Sequence, residues 1–305
     1  MASTPPPARA LVVTAHRRHF EVIHPDDERE SVMTRGRTLR IAVGDEVDVE
    51  RQRGGTVIVG VQPRRNLLFR SDAFKEKLLA ANVTQVGAVV APDLGVDSEL
   101  LERWSIAAQT ADCRFVIFAN KADLDGFDAL RARLAPFERL GYAVVPLSAT
   151  RDAAAALPWL VGQHTLLIGQ SGMGKSTLVN AVAPQAAART GVVSEALGTG
   201  RHTTTFTALY FLPGHDRDTW IVDSPGVKIF GLAHLAPESL AEAFVEMRPY
   251  LGHCRFRDCR HDAEPGCAVT AAVAAGKIAP HRLALLHDLM RESEGARDPA
   301  LGSRA

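Results

Sequence analysis

The chain has 305 residues, 46% of them hydrophobic and 23% charged, and its 35 Lys and Arg balance 35 Asp and Glu. That composition suits a globular protein of two or three modest domains, and a net charge of zero gives no compositional support for nucleic-acid binding, which must rest on local patches instead. No apolar run approaches the roughly 18 residues of a membrane-spanning helix, and the proline-rich residues 1–10 lack the apolar stretch of a signal peptide, so a cytoplasmic protein without membrane contact is expected.

Residues 10–14, 20–23, 38–41, 46–49 and 55–59 read as five short strands separated by turn signals such as His24-Pro25-Asp26-Asp27 and Val43-Gly44-Asp45. Five strands in so short a span suggest a small OB-type β-barrel. Its arginines (Arg17, Arg18, Arg35, Arg37, Arg40, Arg51, Arg53) are either a solvated surface or a phosphate-contacting face, and the interleaved acidic residues leave both readings open. Residues 63–82 read as a linker with a short charged helix over 72–80. Apolar strands and amphipathic helices then alternate. Strands are expected at 83–90, 114–118, 142–145, 165–168 and 219–222, with helices at 98–111 and 129–140, where Leu100, Leu101, Trp104, Ala107 and Ala108 share one face. This alternation argues for a mostly parallel sheet with helices on both sides, and residues 207–212 read as an antiparallel neighbour of the last strand. From about Pro237 the chain turns helical and polar. Helices are expected at 268–275 and 280–292, and residues 293–305 read as a disordered tail.

Gly169-Gln170-Ser171-Gly172-Met173-Gly174-Lys175-Ser176 fits the phosphate-loop pattern, between an expected strand and an expected helix. Glycines let backbone amides wrap phosphates, and the helix N-terminus adds positive potential. Lys175 is expected to reach the β- and γ-phosphates, with Ser176 on Mg²⁺ and Thr177 completing the loop. Asn120-Lys121-Ala122-Asp123 follows a strand and suits guanine. The Asp123 carboxylate can accept from guanine N1–H and the exocyclic amine, groups that adenine lacks. Ser148-Ala149, after the next strand, can present an amide to guanine O6. Asp223-Ser224-Pro225-Gly226 follows another strand, placing Asp223 near Mg²⁺ and the Gly226 amide near the γ-phosphate. The order is rotated, because the phosphate loop of an ordinary small GTPase comes first and here it comes third. Between them, residues 198–205 occupy the place of a first switch. One of Thr203, Thr204 and Thr205 is expected on Mg²⁺, with Thr204 preferred. Val227 stands where many GTPases carry a water-orienting glutamine, which leaves His202 as the local candidate for that role.

Cys254, Cys259, His261 and Cys267 offer three thiolates and an imidazole within 14 residues. In a protein expected in the cytosol such a cluster reads as one structural Zn²⁺ before it reads as a disulfide, with His253 as an alternative to His261. Cys113 stands apart and reads as a buried spectator.

Taken together, Asn120-Lys121-Ala122-Asp123, the loop at 169–176, Gly200-Arg201-His202-Thr203-Thr204-Thr205, Asp223-Ser224-Pro225-Gly226 and the Cys/His spacing resemble the RsgA-type family of small-subunit-dependent GTPases, over nearly the whole chain. The resemblance implies a multidomain protein. An OB barrel would occupy 1–66, a circularly permuted α/β P-loop GTPase domain 67–236, and a helical zinc domain 237–305. It also implies GTP hydrolysis stimulated by the small ribosomal subunit late in its assembly, with rRNA and ribosomal proteins as partners. Departures are the serine after Asp223, the segment 71–81, and the scarcity of basic residues at the N-terminus. A monomer is the default. Two other readings are a nucleotide-gated RNA-binding scaffold, favoured by Val227, and a permuted GTPase of the large subunit, disfavoured by the barrel and the Cys/His cluster.

Overall fold

The computed structural model describes residues 7–16, 19–34, 39–52, 54–72, 75–186, 207–224, 232 and 235–297. Strands β1 (Ala8–His16), β2 (His19–Ile23), β3 (Arg29–Thr34), β4 (Glu46–Gln52) and β5 (Gly55–Val61) close a barrel in the order β1-β2-β3-β5-β4, with β4 returning to β1. The barrel has its own core of Val12, Val22, Val32, Val47 and Ile58. Alternation along the strands puts these side chains inside, as period 2 requires. The sequence reading placed the third strand at 38–41. Leu39, Arg40 and Ile41 instead form no strand, and β3 lies earlier. Only Val32 of β3 is fully buried, so the apolar alternation that marks a strand is faint there.

Strands β6 (Leu67–Asp72) and β7 (Lys75–Ala81) form an antiparallel hairpin where the sequence suggested a linker and a charged helix. Lys75-Glu76-Lys77-Leu78-Leu79-Ala80 is rich in helix formers, but propensity is a weak prior that tertiary packing overrides. Leu68 and Leu79 are buried, and the Ala81 amide donates to Val43 O at 2.8 Å, joining the hairpin to the barrel. Asn66 and Asn82 fix its base, with the Asn82 side chain donating to Gly44 O at 2.9 Å. Gly44 has φ +88°, and a Cβ there would lie 2.4 Å from Ala81 O, so only glycine fits this junction.

The α/β part follows as β8 (Gln85–Val90), α1 (Ser98–Thr110), β9 (Arg114–Ala119), α2 (Phe127–Arg139), β10 (Ala143–Pro146), α3 (Leu157–Leu160), β11 (His164–Ile168), α4 (Lys175–Val182), β12 (Thr207–Phe211) and β13 (Trp220–Asp223). The sheet order is β10-β9-β8-β11-β13-β12, parallel except for β12. Strand β12 also pairs with β1, matching Thr14 with Ala208 and Ala15 with Thr207. Sheet and barrel are therefore one continuous hydrogen-bonded surface. Along the chain the strands run outward from β8 to β10, then restart at β11 and proceed the other way. The crevice between the carboxyl ends of β8 and β11 is thus a topological switch point, where open α/β sheets take ligands.

Helices α5 (Pro237–Ala243), α6 (Ala268–Ala274) and α7 (Pro280–Arg297) complete the described chain. Residue 293 does not begin a disordered tail, because α7 continues through it. Ser293 is fully buried and donates to Leu235 O at 2.5 Å. Leu285, Leu286 and Leu289 share a core with Leu101, Trp104 and Ala108 of α1, so the C-terminal helices and the sheet bury one another's apolar faces. Arg282 sits in that seam, 3% exposed, with Nε on Glu246 at 2.6 Å and Nη1 near Glu102 at 3.5 Å, above the ring of Phe244.

Candidate guanine-nucleotide site and metal centre

The phosphate-loop residues run from the end of β11 into α4. Gly169 takes φ +152° with Val89 O so close that a Cβ would lie 2.5 Å from it. Gly174 takes φ +92° at the N-terminus of α4, where a Cβ would lie 2.2 Å from the Asn120 amide nitrogen. The glycines at these two positions are therefore required by close approach, not only by the turn. The Lys175 ammonium folds back onto its own loop, donating to Gly169 O at 2.7 Å and Gln170 O at 2.9 Å. Burial lowers its pKa and the nearby Asp223 carboxylate raises it again in part, so the net shift is downward.

Asn120 lies 2% exposed at the end of β9 and joins three segments distant in sequence. Its amide nitrogen donates to Met173 O at 2.9 Å, and its amide oxygen accepts from the Ala149 backbone at 2.9 Å. One side chain thus ties the phosphate loop to the loop carrying Ser148 and Ala149. Ala122 is held in the same loop by its amide, which donates to Leu147 O at 3.0 Å. Asp123 is held below the ordinary carboxylate range, first by the Ser148 hydroxyl and then by the Arg151 guanidinium 3.4 Å away. Lys121 has φ +59°, an uncommon conformation outside glycine, and its ammonium lies 2.6 Å from the Asp93 carboxylate.

Parallel register brings Leu167 beside Asp223, so β13 delivers its last residue to the phosphate loop. There the Ser176 hydroxyl donates to Asp223 Oδ2 at 3.0 Å. A hydroxyl and a carboxylate meeting at the start of α4 is the donor set a Mg²⁺ ion takes, all oxygen and one anionic. Ser224 is fully buried and donates to Leu167 O at 2.9 Å. The serine that departs from the expected threonine therefore latches β13 to β11. His202, Thr204, Gly226 and Val227 lie outside the described residues, as do Arg17, Arg18, Arg35, Arg37 and Arg53.

The ligand atoms of Cys254, Cys259, His261 and Cys267 all lie within 4.8 Å of one another. His261 Nδ1 is 3.5 Å from both Cys254 Sγ and Cys267 Sγ. His253, the alternative, is exposed and not part of the group. Burial lowers the His261 pKa, which favours the neutral ring that a metal requires. The Glu264 carboxylate accepts from the Arg260 amide at 2.7 Å and the Asp262 amide at 2.9 Å, shaping the loop that presents His261 at φ +63°. Cys267 doubles as the cap of α6, accepting from the Thr270 amide at 3.4 Å. Three thiols and one imidazole in a closed tetrad fit a structural zinc, with no position left for substrate.

Comparison with known proteins settles the family. A model of the RsgA GTPase family matches residues 61–233. The chain is 42% identical over 303 residues to the small ribosomal subunit biogenesis GTPase RsgA of Nitrosospira multiformis, covering 99% of this chain and 96% of that one. The chain belongs to the RsgA GTPase family. It is also 47% identical over 294 residues to the protein of the same name from Burkholderia pseudomallei, covering 94% and 92% of the two chains. The crystal structure of YjeQ from Thermotoga maritima superposes with a TM-score of 0.69 at 29% identity, covering 95% of this chain and 99% of the other. YloQ, described as a circularly permuted GTPase, shares the fold with a TM-score of 0.67 at 23% identity, over 98% and 99%. Family membership makes the chain a GTP hydrolase, and the rotated motif order is the permutation. The Asn120–Asp123, Gly169–Ser176 and Asp223 segments converge at the carboxyl ends of β9, β11 and β13.

Asp93 and Glu264 were not singled out from the sequence, and Ser224 stood out there only as a departure, with no role assigned. Asp93 carries no motif, and only the register of β8 against β9, Val90 beside Ala119, brings it near Lys121.

Proposed function

We propose that this RsgA-family chain acts late in assembly of the small ribosomal subunit, hydrolysing GTP when bound to it. Both relatives above carry small-subunit biogenesis in their names. The observation that carries the site is the Asn120 bridge. It joins the phosphate loop to the loop carrying Ser148 and Ala149 through one side chain.

In this reading Asp123 accepts from guanine N1–H and the exocyclic amine, the Ala149 amide meets O6, and the Lys121 stem lies along the base. Backbone amides of Gly169, Gln170, Ser171, Gly172, Met173 and Gly174, with Ser176 and Thr177, surround the phosphates. Lys175 gives up its two carbonyl partners to reach the β- and γ-phosphates, a move a desolvated ammonium makes readily when offered anionic oxygens. Ser176, Thr204 and Asp223 would hold Mg²⁺, which would supply positive charge to the phosphate oxygens. Catalysis by the chain is positioning and electrostatic stabilisation, the general mode of phosphoryl transfer. His202 orients the attacking water in place of the absent glutamine, and the Gly226 amide reads the γ-phosphate.

The chain divides into a barrel domain to residue 66, the GTPase domain to 236 and a zinc domain beyond. Cys254, Cys259, His261 and Cys267 bind one structural Zn²⁺. The second switch, which follows Asp223, leads into the zinc domain and couples its position to the nucleotide. Arg255 and Arg257 are exposed on the zinc loops and suit phosphate contact, whereas Arg260 already engages Glu294. The protein works as a cytoplasmic monomer; among the described residues no helix is long and apolar enough to cross a membrane.

Steady-state GTP hydrolysis with and without small subunits tests this, with large subunits and ATP as controls. Small-subunit-specific stimulation is expected. Tight GTP binding with no stimulation by either subunit would replace it with the nucleotide-gated scaffold reading.

A further inference from the structure

The turn between β8 and α1, a 3-10 turn over Pro92–Leu94, touches the guanine and phosphate loops yet belongs to none of the GTPase motifs. Its position follows from the sheet. The Asn120 amide donates to Val90 O at 2.8 Å, so the residues after β8 and those after β9 leave the sheet side by side. Pro92 lies by the start of α2, 3.9 Å from where a Cβ of Gly126 would stand. Leu94, half exposed, lies over the phosphate loop, so close that a Cβ on Gly172 would be 2.8 Å from its methyl. Between them Asp93 holds the Lys121 ammonium at 2.6 Å.

The turn is also stiff. Pro92 fixes φ at its first position. Beyond it, Arg133 donates to Val96 O, and Asp97 caps α1 by accepting from the Leu100 amide at 3.1 Å. A carboxylate on such a mount can hold a partner in place. Lys121 needs that, because its stem is long, its backbone is left-handed, and its side chain has about 2 kcal/mol of rotamer entropy to lose on binding.

We propose that Asp93 is a positioning residue of the guanine-nucleotide site, tethering the Lys121 ammonium so that the lysine stem is laid across the base position before GTP or GDP arrives. The inference rests on the reading of Asn120–Asp123 as the guanine loop. Preorganisation of this kind strengthens binding of both nucleotides without touching the reacting phosphates. The Asp93 carboxyl is held below its ordinary range by the same contact, so the tether is present throughout the neutral range.

The test is a double-mutant cycle on the full chain, measuring equilibrium binding of fluorescent GDP and steady-state GTP hydrolysis for Asp93→Asn, Lys121→Ala and the double variant. An exposed ion pair of this type contributes up to about fivefold in affinity. Asp93→Asn is expected to weaken GDP binding about three- to fivefold, raise KM for GTP by the same factor and leave kcat unchanged. Asp93→Glu should recover part of the loss, and high salt should shrink it. In the Lys121→Ala background the Asp93 substitution should have no further effect. If Asp93→Asn weakens binding equally with and without Lys121, or lowers kcat instead of raising KM, the tether is refuted. Normal GDP affinity in Asp93→Asn while Asp123→Ala loses it would sink the tether and spare the guanine loop. Unchanged binding in both Lys121→Ala and Asp123→Ala would overturn the guanine-loop reading, and the tether with it.

Discussion

The nucleotide site and the Cys/His cluster are built by opposite strategies. The cluster draws all four donors from residues 254–267, so local chain geometry nearly suffices, and Glu264 and the α6 cap do the rest. The proposed nucleotide site draws on residues 120–123, 148–149, 169–176 and 223, whose separation only the sheet can close. A site of the first kind stands or falls with its ligand. A site of the second kind depends on the sheet, with Asn120, Ser224 and strand register holding its described loops together. This also explains why rotated motif order is tolerated. Spatial order is set by β8, β9, β11 and β13 lying side by side, whichever strand the chain enters first.

The sharpest way to break the comparison is at the cluster. The purified protein should carry about one zinc per chain, measured by elemental analysis. Cys267→Ala should abolish that zinc and unfold residues around 251–267, seen as lost amide-exchange protection there, while GDP still binds. Zinc binding that survives Cys267→Ala would show that the tetrad is not the site. Next in size is the seam joining the two regions. Arg282→Ala leaves the Glu102 and Glu246 carboxylates without their shared buried cation, which costs about 3–5 kcal/mol. A clear fall in Tm is expected by calorimetry, larger than for removing the exposed Arg65–Asp112 pair.

How much of each region was legible follows from the same contrast. The cluster could be read from spacing alone, and exposure of His253 resolved the one ambiguity. That the motif loops would come together was legible because each follows an apolar strand. Asn120, a motif residue, was also legible as the tie to the phosphate loop, whereas Asp93 was not, since it meets Lys121 through register and carries no motif of its own. The barrel was legible as a class but its third strand was misplaced, because β3 buries only Val32 and reads as polar chain. The 72–80 segment was read as helix from its Lys, Glu, Leu and Ala, yet Leu68 and Leu79 find burial only as a hairpin against the barrel junction. Ser293 was read as tail because the chain there is small and charged, although its hydroxyl is satisfied inside the fold.

Within the nucleotide site, Asp123→Asn removes a charged acceptor and turns one position into a donor. Loss of hydrogen bonds to a charged group costs about 1.5–3 kcal/mol, so GTP affinity should fall about 10- to 150-fold. Xanthosine triphosphate, which offers a carbonyl where guanine has its amine, should bind the variant better than the parent. An unchanged preference for GTP would remove Asp123 from base recognition. The pH dependence has a definite sign. The Asp123 carboxyl is depressed in the folded chain, so its protonation, and the loss of base recognition that follows, should come at lower pH than for an ordinary Asp carboxyl. The acid limb of guanosine binding that is absent in Asp123→Asn should therefore lie below the ordinary carboxylate midpoint.

The smallest effect expected is at Ser224. Its hydroxyl gives a hydrogen bond to Leu167 O at the point where β13 delivers Asp223. Ser224→Ala should cost about 1 kcal/mol, a modest drop in Tm. The more telling readout is magnesium. If the latch fixes Asp223 relative to Ser176, the variant should need more Mg²⁺ for half-maximal GTP hydrolysis while its GDP affinity without Mg²⁺ stays put. Ser224→Thr keeps the hydroxyl and should restore the Mg²⁺ requirement, provided the fully buried position accepts one more methyl. A variant that loses stability but keeps its Mg²⁺ dependence would make Ser224 a strut of the sheet and no part of the metal's setting. In that case register alone, Leu167 beside Asp223, would carry the alignment of the two oxygen donors.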